Sequence, residues 1–239
     1  MNVIKRRIKN SFNRAENTYD SNCGVQKNIA LKLLGKIPKS EYSVVADFAC
    51  GTGISTQIIN AAFNPNKLYA IDIAENLLNV AGIKVPKAEL VCADIDEQLK
   101  IRNIDLLFCN MGLQWSQQLN KTLCLLFEYL SVGGVIAFSI PLSRTFSELN
   151  VKYRPVYPSY SELLNAVKSL GDLLDHEQYL AVEAYDNALS ALRAIKFVGA
   201  NCSLGHDKYK GLYTQAAINN IFDVTTALTY DIGLFVLRK

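Results

Sequence analysis

The chain lacks any apolar stretch near the ~18 residues that a bilayer-spanning helix needs, so no membrane segment is expected. Its N-terminus carries positive charge with no apolar core behind it, which is not the pattern of a secretory signal. Six cysteines (Cys23, Cys50, Cys92, Cys109, Cys124, Cys202) are scattered with no C-x-x-C pair among them. Thiols placed this way, several inside apolar runs, fit a reducing cytoplasm better than disulfides and point away from a metal site. Internal repeats and low-complexity segments are absent. A net charge of +3 is too small to argue for nucleic acid by itself.

What is present is enough apolar material for one large core: 239 residues, 50% of them hydrophobic. A single domain of α/β size is expected. The cations are unevenly placed. Lys5, Arg6, Arg7 and Lys9 crowd the first ten residues, Arg14 follows, and no acid precedes Glu16. Such a run is usually a solvated helix face; the sharper reading is a docking surface for an acidic partner.

Residues 3–36 read as helical with a break at Asn22-Cys23-Gly24, and Val25, Ile29, Leu33 and Leu34 recur at helical spacing. From Val44 short apolar runs at 44–48, 67–71, 88–92, 104–109 and 132–140 read as strands. Helical stretches at 54–62, 74–81 and 117–130 separate them, which predicts a parallel sheet covered on both faces. Residues 142–175 read as a loop and helical insertion, 177–185 as a strand, and Asp186 as the cap of a helix through Lys196 to about Gly199. A mobile loop over 200–213, a helix from Thr214 and a strand over 227–237 complete the expected order. The segments sort into an N-terminal helical lid (1–40), a ligand-binding half (41–140) and a substrate-side half (141–239).

The chemistry is concentrated in Val44-Val45-Ala46-Asp47-Phe48-Ala49-Cys50-Gly51-Thr52-Gly53 and Tyr69-Ala70-Ile71-Asp72. An apolar run ends on an acid, turns through small residues and restarts as a helix. The next run ends on a second acid about twenty positions after the last glycine, the spacing of a ribose-binding carboxylate. Glycines let backbone N–H groups approach a ligand closely. A third glycine at the G-x-G-x-x-G spacing is missing, since Thr56 stands there, and Asp47 would repel a dinucleotide pyrophosphate. An acid at Asp47 suits a cationic nucleoside without phosphate, as S-adenosylmethionine is.

This arrangement resembles motif I of the class I S-adenosylmethionine-dependent methyltransferases, with Ala49 where that motif has its first glycine. The resemblance implies an α/β fold: a doubly wound, mostly parallel seven-stranded sheet. It places Asp47, Ala49, Gly51, Gly53, Asp72 and Ile73 around the cofactor. It also sets Asp94 and Ile95, after the third strand, on the adenine, and Asn110 and Met111, after the fourth, beside the transferred methyl. A helix N-cap is the plainer reading of Asp94, and a core aromatic that of Trp115. The fourth-strand segment has no [DNS]-P-P-[YFW], which disfavours DNA amino-methylation.

More specific segments are Ser11-Phe12-Asn13-Arg14-Ala15 with Tyr19 and Gln26, Asn110-Met111-Gly112-Leu113-Gln114-Trp115, Gly134 to Ser139, and Asp186 to Ala200. Together they resemble the malonyl-[acyl-carrier-protein] O-methyltransferases of biotin synthesis, from about Lys9 to Leu228-Thr229-Tyr230, with residues 141–175 matching poorly. The resemblance implies methylation of the free carboxylate of a malonyl group borne on the phosphopantetheine of acyl carrier protein, with no metal, no nucleic-acid partner and no membrane. A carboxylate is already ionised at neutral pH, so positioning rather than a general base is the requirement.

Tyr19 is then expected over the cofactor and Gln114 and Trp115 at the acceptor. Arg193 and Lys196 share one helix face and are expected to meet the malonyl group and the phosphate or carrier; simple solvation of the pair is the plainer alternative. Rival readings are a methyltransferase for another small carboxylate or phenol without a carrier, a non-catalytic cofactor-binding scaffold, and an RNA methyltransferase.

Overall fold

The structure, a computed structural model, describes residues 2–151, 154–197 and 227–239, with side chains described as far as Ile195 in the helix that ends at Phe197. Three helices open the chain: α1 (Val3–Arg14), α2 (Tyr19–Asn22) and α3 (Gly24–Leu34). The alternating part follows as β1 (Val44–Phe48), α4 (Ile54–Phe63), β2 (Lys67–Asp72), α5 (Glu75–Lys84), β3 (Glu89–Cys92) and β4 (Ile104–Asn110). A short 3-10 turn (Leu113–Trp115), α6 (Leu119–Tyr129) and β5 (Leu130–Pro141) come next. The chain then runs through α7 (Tyr160–Lys168), β6 (Asp172–Ala184), α8 (Ala188–Phe197) and β7 (Ala227–Arg238).

All seven strands form one sheet in the order β3-β2-β1-β4-β5-β7-β6. The pairs from β3 to β5 are parallel, whereas β7 runs antiparallel to both neighbours. The central strands read as near-continuous apolar runs because both faces of a parallel sheet are covered. On one face Ile29 and Leu33 of α3 and Ile59 of α4 pack against Leu68, Phe108 and Val236. On the other Leu123 and Leu126 of α6 and Leu163 of α7 pack against Phe48, Phe138 and Phe235. The strand order reverses between β1 and β4, and in such sheets the crevice beyond the strand ends at that point is where ligands bind.

Several sequence expectations need correction. The N-terminal region breaks at 15–18 as well as at Cys23, giving three helices. β6 starts at Asp172, five residues before the expected 177, because it is an edge strand whose outer face carries charge and so hides its alternation. Its register with β7 also shifts between Leu173 and Asp175. The helix of the insertion is α7, closed by a Ser159/Glu162 capping box. At the start of α8 the cap is Asn187 rather than Asp186: its Oδ1 accepts the Ser190 N–H at 2.9 Å. The loop expected over 200–213 and the helix from Thr214 lie outside the described residues. No helix among those described is long and apolar enough to cross a membrane.

Candidate active site

The turn after β1 holds the backbone in the left-handed region at Ala49 (φ 56°), Gly51 (φ 56°) and Gly53 (φ 81°). Ala49 bears the strain of a methyl group there, about 1–2 kcal/mol. Across the crevice Gly112 makes room for that methyl: a Cβ on Gly112 would press into the Ala49 Cβ and lie 2.9 Å from the Cys109 Sγ. Gly51 donates its N–H to Asp72 Oδ2 at 2.9 Å, and Ala74 donates to Asp72 Oδ1 at 2.8 Å. Asp72 is thereby locked at the mouth of the crevice. Burial pushes its carboxyl up, while the N–H groups of Ala74, Gly51 and Ile73 oppose that shift. Each carboxylate oxygen has a second lone pair, which a ribose hydroxyl can use.

Asp47 and Gly53 stand apart from this wall. Asp47 lies fully buried behind the turn, its Oδ2 accepting from Ser55 Oγ (2.7 Å) and Thr56 Oγ1 (2.6 Å) and its Oδ1 without a hydrogen-bond partner among the described residues. Burial pushes its carboxyl up to about 7, against the two hydroxyls. A Cβ on Gly53 would lie 2.8 Å from Ala81 Cβ and 2.9 Å from Ala81 Cα, so that glycine lets α4 close on α5.

A cleft of about 620 Å³ opens over the turn. Ala49, Gly51, Asp72, Ile73, Asp94, Ile95, Asn110 and Met111 all line it, with Tyr19 and Trp115. So does Lys5, which sequence reasoning assigned to a solvated or docking face. Lys5 is 3% exposed and pairs with Asp94 and, at 2.8 Å, with Asp96 Oδ2. Asp94 also accepts the Asp96 N–H at 3.1 Å. The apolar side chains of Phe48, Ile71, Ile73, Leu77 and Ile95 suit an adenine face, and the two acids Asp72 and Asp94 suit its ribose and amino group. A cationic nucleoside fits this donor and acceptor set.

A second chamber of about 570 Å³ adjoins the first and shares Phe12, Tyr19, Met111 and Trp115 with it. Gln26, Gln114, Thr145, Phe146, Tyr157, Ile195 and Tyr230 belong to this chamber. The N-terminal helices are fastened over both. Asp20 Oδ1 accepts the Thr52 hydroxyl at 2.6 Å, and its other oxygen pairs with Lys84 at 2.6 Å. Asn76 donates its N–H to Asn13 Oδ1 at 3.0 Å, and the Phe12 ring meets Trp115 edge-on at 5.3 Å. Tyr19 lies against Gly51, its hydroxyl 3.5 Å from where a Cβ would stand. Burial first, and then the proximity of Cys23 and Asp72, raises its phenol above the ordinary range, so it is a neutral O–H.

After β4, Met111 also adopts a left-handed backbone (φ 53°). Ser139 holds it there: its hydroxyl donates to Asn110 Oδ1 (2.8 Å) and accepts the Met111 N–H (2.9 Å). Buried Asp231 plays a similar part for the loop after β5, accepting from Arg144 Nε (3.1 Å) and Gln178 Nε2 (2.8 Å). No short-range pattern pointed to Lys5, Asp20, Ser139 or Asp231, since each acts across the fold. Arg193 is exposed on α8, and it is Ile195 of the same helix that lines the chamber. The side chain of Lys196 lies outside those described. No group of three or more metal-ligating side chains occurs among the described residues.

Residues 46–138 match the Methyltransf_11 methyltransferase-domain family. Among solved structures, the N-methyltransferase NodS of Bradyrhizobium japonicum in complex with S-adenosyl-L-homocysteine superposes with a TM-score of 0.62 at 12% identity, over 98% of each chain, a likeness of fold. A malonyl-[acyl-carrier protein] O-methyltransferase of Ilyobacter polytropus is 27% identical over 95% of this chain and 94% of its own. The malonyl-[acyl-carrier protein] O-methyltransferase 2 of Coxiella burnetii is 38% identical over 100% of this chain and 98% of its own. Identity of that extent, spanning the N-terminal helices, cleft and chamber alike, means that the chain belongs to the malonyl-[acyl-carrier protein] O-methyltransferase family.

Proposed function

We propose that this protein methylates the free carboxylate of a malonyl group carried on acyl carrier protein, using S-adenosylmethionine. The observation that carries the reading is the pair of adjoining chambers, which share a wall made by Phe12, Tyr19, Met111 and Trp115. When bound, the cofactor supplies a methyl group on a sulfonium, ready for displacement.

Asp72 takes the ribose hydroxyls and Asp94 the adenine amino group. Ala49, Gly51, Asn110 and Met111 frame the methionine end, with Ile73 and Ile95 against the base. Asp47 and Gly53 shape the turn from behind rather than touch the ligand. The carboxylate oxygen needs no base, because it is ionised at neutral pH. The chain's own contribution would be to align that oxygen with the methyl group the bound cofactor would supply and to exclude water. Tyr19 stands at the shared wall as a neutral donor that can orient the carboxylate without neutralising it. Gln114 and Trp115 meet the acceptor from the other side.

Arg6, Arg7 and Arg14 on α1 are exposed and form the cationic face offered to an acidic carrier protein. Arg193, also exposed, is placed on α8 for a contact with the malonyl arm or its carrier. Incubation with S-adenosylmethionine and malonyl-acyl carrier protein should add one methyl group to the malonyl moiety, detected by mass. Equal turnover of small malonyl thioesters without the carrier would favour an acceptor that needs no partner protein, and no methyl gain on any malonyl thioester would exclude the reaction.

A further inference from the structure

Two residues that line the acceptor chamber, Gln114 and Gln26, each have a buried side-chain oxygen, Oε1, with no hydrogen-bond partner among the described residues. For Gln114 the orientation of the amide is fixed by chemistry. Its Nε2 donates to the Met111 carbonyl at 2.6 Å, so the other end is the oxygen, an acceptor. A buried acceptor left unpaired is costly, and the site is completed when a ligand brings a donor to it.

The reacting carboxylate has no proton to give at neutral pH, and the transferred methyl carries no N–H. An amino acid end on the cofactor would carry an ammonium, but Gln114 borders the acceptor chamber and not the cofactor cleft. Gln26 is less selective, since it also borders the space behind Ala49 and Cys50. The donor that belongs to the acceptor side is the amide N–H of the thioester arm, two carbons beyond the sulfur.

We propose that Gln114 Oε1 accepts the thioester-proximal amide N–H of the pantetheine arm and so sets how far the malonyl group reaches toward the shared wall at Tyr19. This rests on the methyl transfer proposed above. It makes Gln114 a residue that selects arm-borne acyl groups over free dicarboxylates, and it explains why an amide side chain rather than a cation stands there. A lysine or arginine would hold the carboxylate in an ion pair and blunt its lone pair. A neutral acceptor grips the arm and leaves the nucleophile alone.

The test compares two substrates loaded on the same carrier protein: malonyl-pantetheine, and an analogue with oxygen in place of that one N–H. The parent protein should prefer the N–H substrate by at least fivefold in kcat/KM. Gln114→Met should bring the ratio close to one while its affinity for S-adenosylmethionine stays within twofold of the parent's. A parent that uses both substrates equally overturns the contact, and that measurement needs no variant to fold. A Gln114→Met protein that keeps the preference overturns it too. Failure of the parent to methylate malonyl-acyl carrier protein at all would overturn the reaction itself, and this contact with it.

Discussion

Lys5 Nζ lies 2.8 Å from a carboxylate oxygen of Asp96 and also pairs with Asp94, in the wall of the cleft. A lysine from the most basic stretch of the chain is thus buried in the wall of the cleft, and α1 is fastened there. The pair holds Asp96 below the ordinary carboxylate range despite burial, with Thr122 and Gln117 contributing. Removing one partner of a buried pair leaves the other uncompensated and costs several kcal/mol. Lys5→Met should therefore free α1: trypsin should cut at Arg6, Arg7 or Lys9 several-fold faster, and cofactor affinity should fall about tenfold or more. Lys5→Arg should recover part of both. Parent-like proteolysis of Lys5→Met would show that the pair does not hold the helix.

Gly53→Val should lower the thermal midpoint by several degrees, because its branched side chain is forced into Ala81 at a left-handed backbone position. The sequence motif points to a loss of ligand binding at unchanged stability, whereas the packing reverses that emphasis. A midpoint within a degree of the parent would restore the motif's reading.

Asp47 gives a pH signature. An unfolded aspartate ionises near 3.8, whereas in the fold its carboxyl is pushed up to about 7. Between those values the native protein keeps a proton that the unfolded chain has lost, so this group's contribution to stability falls as pH rises through that window and is level above it. Asp47→Asn has no such proton to keep. The midpoint of the parent should drop by several degrees relative to Asp47→Asn between pH 4.5 and 7.5. A difference that stays constant across the window would mean that Asp47 is ionised throughout.

Tyr19→Phe keeps the ring against Gly51 and removes only the hydroxyl at the shared wall. Turnover of malonyl-acyl carrier protein should fall about tenfold or more, with affinity for S-adenosylmethionine changed less than threefold. Equal turnover in the two proteins would remove the hydroxyl from the reaction.

The strands β1, β2, β4 and β5 were legible because burial on both faces writes itself as apolar runs, and Asp72 because a strand-ending acid at that spacing has few other uses. The start of β6 was hidden by its charged outer face. Lys5 was illegible for a different reason: its neighbours in sequence are exposed cations, and the acids that bury it stand about ninety positions on. Arg193 is ambiguous in the sequence for another reason, since a cation at helical spacing from an apolar face reads the same whether it meets a ligand or water. Helical periodicity tells which face is apolar, not what the polar face meets.

The fit of Ala49 against Gly112 also bears on the routes by which this chain can change. With alanine in the turn, any side chain at position 112 meets that methyl group as well as Cys109. Gly112→Ala should therefore be far less damaging after Ala49→Gly than before it, a non-additive pair on opposite sides of one crevice. The cost of a side chain at 112 is thus partly set by a residue on the far side of the crevice, while the Cys109 sulfur stays in the way whichever residue stands at 49.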